Sequence, residues 1–450
     1  MYQSINPVDD QLLGRFPSWN TAQLRRHLDR ARDAYHLKWR PKSVAERILA
    51  LREVSRRLRT ERERLARLIT LEMGKPIAQS RSEVDKCVAL CEYYFEIAPQ
   101  VLALRTLDGA KILPQPLGGV LGVMPWNYPI WQVFRFAIPA LLAGNVVLLK
   151  PADNVPQCSA AIEALFEQAL APLCFSILWI EEPQVAQAIE HPLVQGIALT
   201  GSDRAGAIVA GQAARAIKKC VLELGGNDAY LVLRDADVVQ AARQAVRSRL
   251  KNAGQSCISA KRLIVEAPVL EAFKHAFIEA LEQVRMGDPF DERTELGALA
   301  SAEVLLRLEA QVADARAKGA EVLVDGGRTC AHGNFFSPML LTNIRPSMRA
   351  YREELFGPVA LLFVVADEKA AIRLANDTPY GLGATVWSSD PERAERVAAQ
   401  LEVGAVAINK MLSSEPRLPF GGVKRSGYGV ELGPEGLLEF VNQKTLTFGG

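Results

Sequence analysis

The chain has 450 residues, too many for one hydrophobic core, so two or three domains are expected. Apolar residues make up 49%, charged residues 23%, and the formal net charge is +2, which excludes a basic nucleic-acid binder and a disordered acidic tail. Residues 1–10 lack an apolar run, and the longest apolar stretch, 136–149, is short and interrupted by Pro139, Gly144 and Asn145, so neither a secretory leader nor a membrane span is expected.

From 21 to about 99 the pattern is helical. Ile48, Leu51, Val54, Leu58, Leu65 and Ile69 recur at three- and four-residue spacing across 44–73, with Arg and Glu between them. Cys87 and Cys91 stand four apart here with no histidine beside them, so two packed thiols are expected and no metal site. From 119 to 233 short β-rich runs (120–124, 146–149, 197–200 and 220–224) alternate with helical stretches. The alternation resumes at 229–233 and continues through 263–266 and 361–365. This predicts an α/β fold with two parallel sheets. The last segment, 440–448, reads as a terminal strand that could pair across a subunit interface. Seven scattered cysteines without a CxxC pair suit a reducing cytoplasm, and five histidines in no ligand spacing give a zinc or Ser-His-Asp mechanism little support.

Ligands of an open parallel sheet collect at the carboxyl ends of its strands. Four such ends carry candidate groups: Met124-Pro125-Trp126-Asn127, Lys150-Pro151-Ala152-Asp153, the turn from Gly201-Ser202 to Gly206, and Glu223-Leu224. A Gly-Ser turn opening a helix suits a pyrophosphate, although an ordinary helix cap reads the same way. The G-x-G-x-x-G fingerprint is absent. Cys257 lies among small polar residues in Asn252-Ala253-Gly254-Gln255-Ser256-Cys257, where a packed thiol would have bulky neighbours. A reachable thiol and a carboxylate in a glycine-flanked turn suggest covalent catalysis with a general base.

Together these runs resemble the aldehyde dehydrogenase superfamily over nearly the whole chain. Glu354-Leu355-Phe356-Gly357-Pro358, Asn376-Asp377-Thr378-Pro379-Tyr380-Gly381 and Pro419-Phe420-Gly421-Gly422 add to the match, in the family's order. The resemblance implies a cofactor domain of the non-standard Rossmann type (1–105 and 119–225, with 426–435). It also implies a catalytic domain (226–425) and a β oligomerisation arm (106–118 and 436–450), the arm suggesting a homodimer or homotetramer. Cys257 would attack the aldehyde carbon, Asn127 would hold the oxyanion, and Glu223 would activate water on the resulting thioester. Met124, Pro125, Trp126, Lys150, Asp153, Gly201, Ser202, Gly206, Leu224, Glu354 and Phe356 would line the cofactor site. Asp153 would accept from a ribose 2′-hydroxyl, which favours NAD. Its shorter reach than the family's common Glu leaves NADP use open.

Arg135 and Ser414 resemble the succinate-semialdehyde dehydrogenase branch, where such residues receive a distal carboxylate. Trp131 and Phe420 would complete the pocket. The expected activity is therefore NAD(P)-dependent oxidation of a small aldehyde, succinate semialdehyde first and another aliphatic or aromatic aldehyde as the alternative. Intact Cys257, Glu223 and Asn127 speak against a binding protein without turnover, and Glu223 against transfer to CoA.

Overall fold

The computed structural model describes residues 1–449. Two parallel sheets organise it, each with its own hydrophobic core. The first sheet has six strands, in the order Gly427–Tyr428, Lys219–Glu223, Val194–Thr200, Gly119–Val123, Val146–Lys150 and Phe175–Ile177. All its neighbours are parallel except the first pair. Val146–Lys150 is buried at every residue, the pattern of a strand covered on both faces.

The second sheet has seven strands, ordered Glu321–Val324, Met339–Thr342, Val359–Val365, Arg262–Glu266, Ala229–Val232, Gly383–Trp387 and Ala405–Ile408. Only its first pair is antiparallel. The expected α/β class with two sheets is what the chain adopts.

Three local features differ from the sequence reading. The helical stretch 44–73 is two helices, Val44–Thr60 and Arg62–Met73, parted at Glu61. Ser43 caps the first of them with Glu46 in a capping box. Pro139 does not interrupt its segment; it lies inside the helix Trp131–Leu142, all of whose residues are buried. Packing on every side outweighs the one donor that proline removes. An antiparallel hairpin, Tyr2–Ile5 with Leu12–Phe16, had no clear signal. It docks beside the Lys150 loop, with the Gln3 N–H donating to the Asp153 carbonyl at 3.1 Å and the Tyr2 hydroxyl to that of Ile180.

The terminal strand is Val441–Thr447, and it pairs antiparallel with Ala110–Pro116 of the same chain. With Arg105–Leu107 these form a three-stranded sheet in which Val441–Thr447 is an edge. Among the described residues no helix is long and apolar enough to cross a membrane.

Candidate active site

Cys257 sits at the end of a loop that the chain bends hard. Asn252, Ala253 and Gly254 are consecutive residues with φ of 55°, 54° and 75°. Left-handed backbone at a non-glycine residue costs about 1–3 kcal/mol and persists only where the surroundings enforce it. Two buried cations do so. The Arg249 guanidinium donates to the carbonyls of Gly254 (2.8 Å), Leu355 (3.2 Å) and Gly357, and to Ser259 Oγ (2.9 Å). Lys261 Nζ donates to the carbonyls of Ser256 (2.9 Å) and Cys257 (2.5 Å), and lies 3.1 Å from Glu354 Oε1. A Cβ on Gly254 would stand 2.4 Å from the Gly357 carbonyl, so the loop needs glycine for space as well as for φ.

Asn127, buried after the strand Gly119–Val123, joins this loop. Its Nδ2 donates to the Gln255 carbonyl at 3.1 Å. Its own carbonyl accepts from Asn252 Nδ2 (2.7 Å) and Lys75 Nζ (3.0 Å), which fixes the residue from both ends. The Cys257 thiol is pushed up to about 12, mainly by burial, with the Lys261 cation opposing the shift. It is therefore a thiol at neutral pH, and its nucleophilicity requires a proton acceptor.

Glu223 is the last residue of its strand, paired with Gly427 and buried. Neither carboxyl oxygen has a hydrogen-bond partner in the structure. Burial drives its pKa well above the usual carboxylate range, and Arg135, with Nη2 3.9 Å from Oε2, pulls it back. A buried carboxyl group with raised pKa and unpartnered oxygens holds a proton more tightly than an ordinary carboxylate.

Arg135 is buried, not on a surface helix face, and its charge is already matched. It forms an ion pair with Glu431, donates to Thr200 Oγ1 at 3.2 Å, and lies 5.1 Å from the Phe420 ring centroid. Glu431 had no signal in the sequence beyond an acid between glycines in Gly429-Val430-Glu431, and its pairing with Arg135 links two distant stretches of chain.

The cofactor candidates gather at the strand ends of the first sheet. Lys150 Nζ is 2.7 Å from Asp153 Oδ1 and 5.4 Å from the Tyr2 ring centroid, and Asp153 itself is exposed. Ser202 caps the helix Asp203–Arg215 by accepting from the Ala205 N–H at 3.2 Å. A Cβ on Gly206 would come 2.6 Å from Leu224, so this glycine lets the helix lie against the end of the neighbouring strand. Met124 donates its N–H to the Lys150 carbonyl at 3.1 Å, and Pro125 follows half-buried. Trp126 and Phe356 meet edge to face at 5.7 Å. Glu354 approaches Gly225 so closely that a Cβ there would be 2.6 Å from Oε2.

A cavity reaches Cys257 from the other side. Arg135, Ser414, Trp131 and Phe420 all line it, so the four residues singled out for substrate come together at the thiol. Two further residues line its wall: Lys86, in the region 21–99 whose interleaved charges read as a solvated helix face, and Lys251, which opens the turn Lys251–Gly254 and carries no signal of its own in the sequence. The helical spacing did place Lys86 one turn after Glu83, which also lines the cavity.

A thiol in a sharply bent loop, an amide beside it and a buried carboxyl at the carboxyl end of an inner strand, next to a dinucleotide-type strand end, suit an NAD(P)-dependent aldehyde dehydrogenase. The chain belongs to the aldehyde dehydrogenase family, whose profile matches residues 1–446. It is 44% identical over 448 residues to the succinate-semialdehyde dehydrogenase (NADP(+)) of Deinococcus radiodurans, covering 98% of this chain and 94% of that one. It is 42% identical over 448 residues to the succinate semialdehyde dehydrogenase (NAD(P)+) of Escherichia coli, covering 98% and 97%. A crystal structure of succinic semialdehyde dehydrogenase from Streptococcus pyogenes in complex with NADP+ superposes with a TM-score of 0.97 at 37% identity, covering 100% of both chains.

Proposed function

We propose that this aldehyde dehydrogenase acts on a short aldehyde with a distal carboxylate, succinate semialdehyde above others, and converts it to the dicarboxylic acid. The observation that carries this reading is the charge of the cavity. Lys86, Arg135 and Lys251 line it, and its one acid, Glu83, is already engaged. Glu83 Oε1 accepts from the N–H groups of Ile130 (2.9 Å) and Trp131 (3.0 Å), and Oε2 pairs with Lys75. Such a wall favours an anionic substrate and disfavours a neutral or aromatic one. The names of the relatives point the same way.

Cys257 Sγ adds to the aldehyde carbon while its proton passes to solvent water, and Glu223 is kept as the base for the later hydrolysis. Asn127 Nδ2 and the Cys257 N–H face the oxygen that becomes negative; a donor of this kind is worth roughly 3 kcal/mol when preorganised. A bound nicotinamide supplies the hydride acceptor that turns the adduct into a thioester. Glu223 then takes a proton from water, which attacks the thioester carbon and releases the acid and the Cys257 thiol.

The residues at the first sheet suit a dinucleotide. Lys150 presents an ammonium at a strand end, the helix behind Gly201 and Ser202 offers an N-terminus to phosphate, and Glu354, ion-paired with Lys261 through Oε1, closes against Gly225. We assign both nucleotides to the enzyme, NADP included. Asp153 is exposed and tied to Lys150, so it can turn away from a 2′-phosphate.

The domain division belongs to the same proposal: 1–105, 119–225 and 426–435 for the cofactor, 226–425 for catalysis, 106–118 and 436–450 for assembly. The free edge of Val441–Thr447 supports a homodimer or homotetramer, and seven unpaired cysteines support a reducing, cytoplasmic compartment.

A panel of aldehydes tests the substrate class. Succinate semialdehyde is expected to exceed butanal and benzaldehyde in kcat/KM by at least about tenfold, the effect of one charged hydrogen bond. Equal values for all three would sink it. Cys257→Ala is expected to form no reduced nicotinamide with any aldehyde, and undiminished turnover would overturn the mechanism.

A further inference from the structure

Of the two buried cations that hold the Cys257 loop, Arg249 spends its donors on backbone carbonyls and Ser259 Oγ. Lys261 does more. Its Nζ donates to the carbonyls of Ser256 (2.9 Å) and Cys257 (2.5 Å) and lies 3.1 Å from Glu354 Oε1. An ammonium has three donors; two go to the nucleophile loop, and the third faces a carboxylate of the cofactor site. Lys261 stands on firm ground, just ahead of the inner strand Arg262–Glu266. Its N–H donates to the Asp228 carbonyl at 3.3 Å, and its carbonyl accepts from the Leu361 N–H at 3.0 Å. The next side chain, Arg262, serves other carbonyls, those of Asn227, Leu374 and Ala375. The backbone of Glu354 is also fixed, its carbonyl accepting from Gln311 Nε2 at 3.1 Å. The Glu354 side chain keeps 15% exposure and that of Lys261 only 1%, so a ligand can reach the carboxylate but not the ammonium.

We propose that Lys261 is a positioning residue that couples the nucleophile to the cofactor: one ammonium holds the Cys257 carbonyl and the Glu354 carboxylate together, and so sets the distance between sulfur and hydride acceptor. This rests on the reading of Cys257 as nucleophile and Glu354 as a cofactor residue, and it names the group that joins them. The contrast with Lys75 supports it. Lys75 and its partner Glu83 are both fully buried, so no ligand meets either charge, as befits a structural pair. In the Lys261 pair one partner is open to a ligand, and the other is anchored on the reacting residue's own peptide. The same ammonium acts on the sulfur through space. Cys257 is faced by Lys261, by Glu354, by Arg135 of the helix Trp131–Leu142, by Glu223 at its strand end, and by Tyr128 after Asn127. Of these charges Lys261 favours the thiolate most, and Glu354 and Glu223 oppose it.

The test uses Lys261→Met in the full-length enzyme, which keeps the side chain's length and removes its charge. With NADP and saturating succinate semialdehyde, the pre-steady-state rate constant of NADPH formation is expected to fall about 100-fold. Deuterium on the aldehyde carbon should then slow kcat as it slows the burst, because hydride transfer has become limiting. Alkylation of the cofactor-free thiol by iodoacetamide at about pH 8 is expected to slow about tenfold. A merely structural defect would shrink the burst amplitude and leave the rate constant and isotope effect alone. Glu354→Gln keeps the ammonium on the loop and removes the charge that offsets it. It should weaken NADP binding about fivefold, read by fluorescence titration, and speed alkylation about threefold. This second variant serves if Lys261→Met does not fold, and unchanged or slower alkylation in it overturns the coupling. A wild-type burst rate constant in Lys261→Met overturns the proposal and leaves the roles of Cys257 and Glu354 standing. Wild-type NADP binding in Glu354→Gln, or NADPH formation by Cys257→Ala, overturns those roles instead.

Discussion

The loop that carries Cys257 and the wall that faces it use positive charge in opposite ways. In the loop, Arg249 and Lys261 are buried and surrounded by backbone carbonyls. In the wall, Lys86 and Lys251 border the open cavity and form no ion pair among the described residues. The first arrangement fixes backbone shape, because each carbonyl removes a direction in which the loop could relax. The second leaves donors for a molecule that is not part of the fold. Whether a cation is structural or receptive is decided by its partners, not by its depth alone.

The largest test of this contrast concerns the group that serves the loop. Glu223→Gln is expected to reduce steady-state kcat by about 1,000-fold while a pre-steady-state burst of NADPH survives, since only hydrolysis of the thioester is stalled. Rapid-mixing absorbance reads both; loss of the burst would assign Glu223 to the thiol proton instead.

A smaller effect comes from the loop itself. Gly254→Ala puts a Cβ 2.4 Å from Gly357 at φ +75° and is expected to cost about 2–4 kcal/mol of stability. It should also lower kcat/KM by about 100-fold through displacement of Cys257. Thermal denaturation and kinetics with wild-type-like values would mean the loop is not over-determined.

The thiol offers a milder probe. With its pKa raised to about 12, the thiolate fraction of the cofactor-free enzyme grows throughout the neutral and alkaline range. Inactivation by iodoacetamide should accelerate about tenfold per pH unit from about 7 to about 10. A plateau below about pH 9 would show that the loop cations, and not burial, dominate the sulfur. The smallest effect is expected at the strand end: Asp153→Ser should shift preference toward NADP by about fivefold, one screened repulsion between unit charges. An unchanged NADP-to-NAD ratio would remove Asp153 from nucleotide selection.

The chain announced its local chemistry better than its long-range charge pairing. Strand alternation between 119 and 233 foretold a parallel sheet because buried strands are apolar on both faces. Cys257 stood out because small polar neighbours are unusual around a packed thiol. Arg135 was picked out as a carboxylate ligand, yet nothing near it in sequence reveals Glu431, which only the closing of the sheet brings to it. Lys86 was hidden for the reverse reason: helical charge repeats look alike whether they face water or a cavity. Pro139 misled locally, since a helix enclosed on all sides tolerates the missing donor.

The short strand Gly427–Tyr428 makes Glu223 answerable to a segment remote from it in sequence. Glu223 is paired in register with Gly427, and Arg135 is held by Glu431, so both lean on residues 427–431. A substitution that loosens those five residues would therefore reach Glu223 and Arg135 together while leaving Cys257 and Asn127 in place.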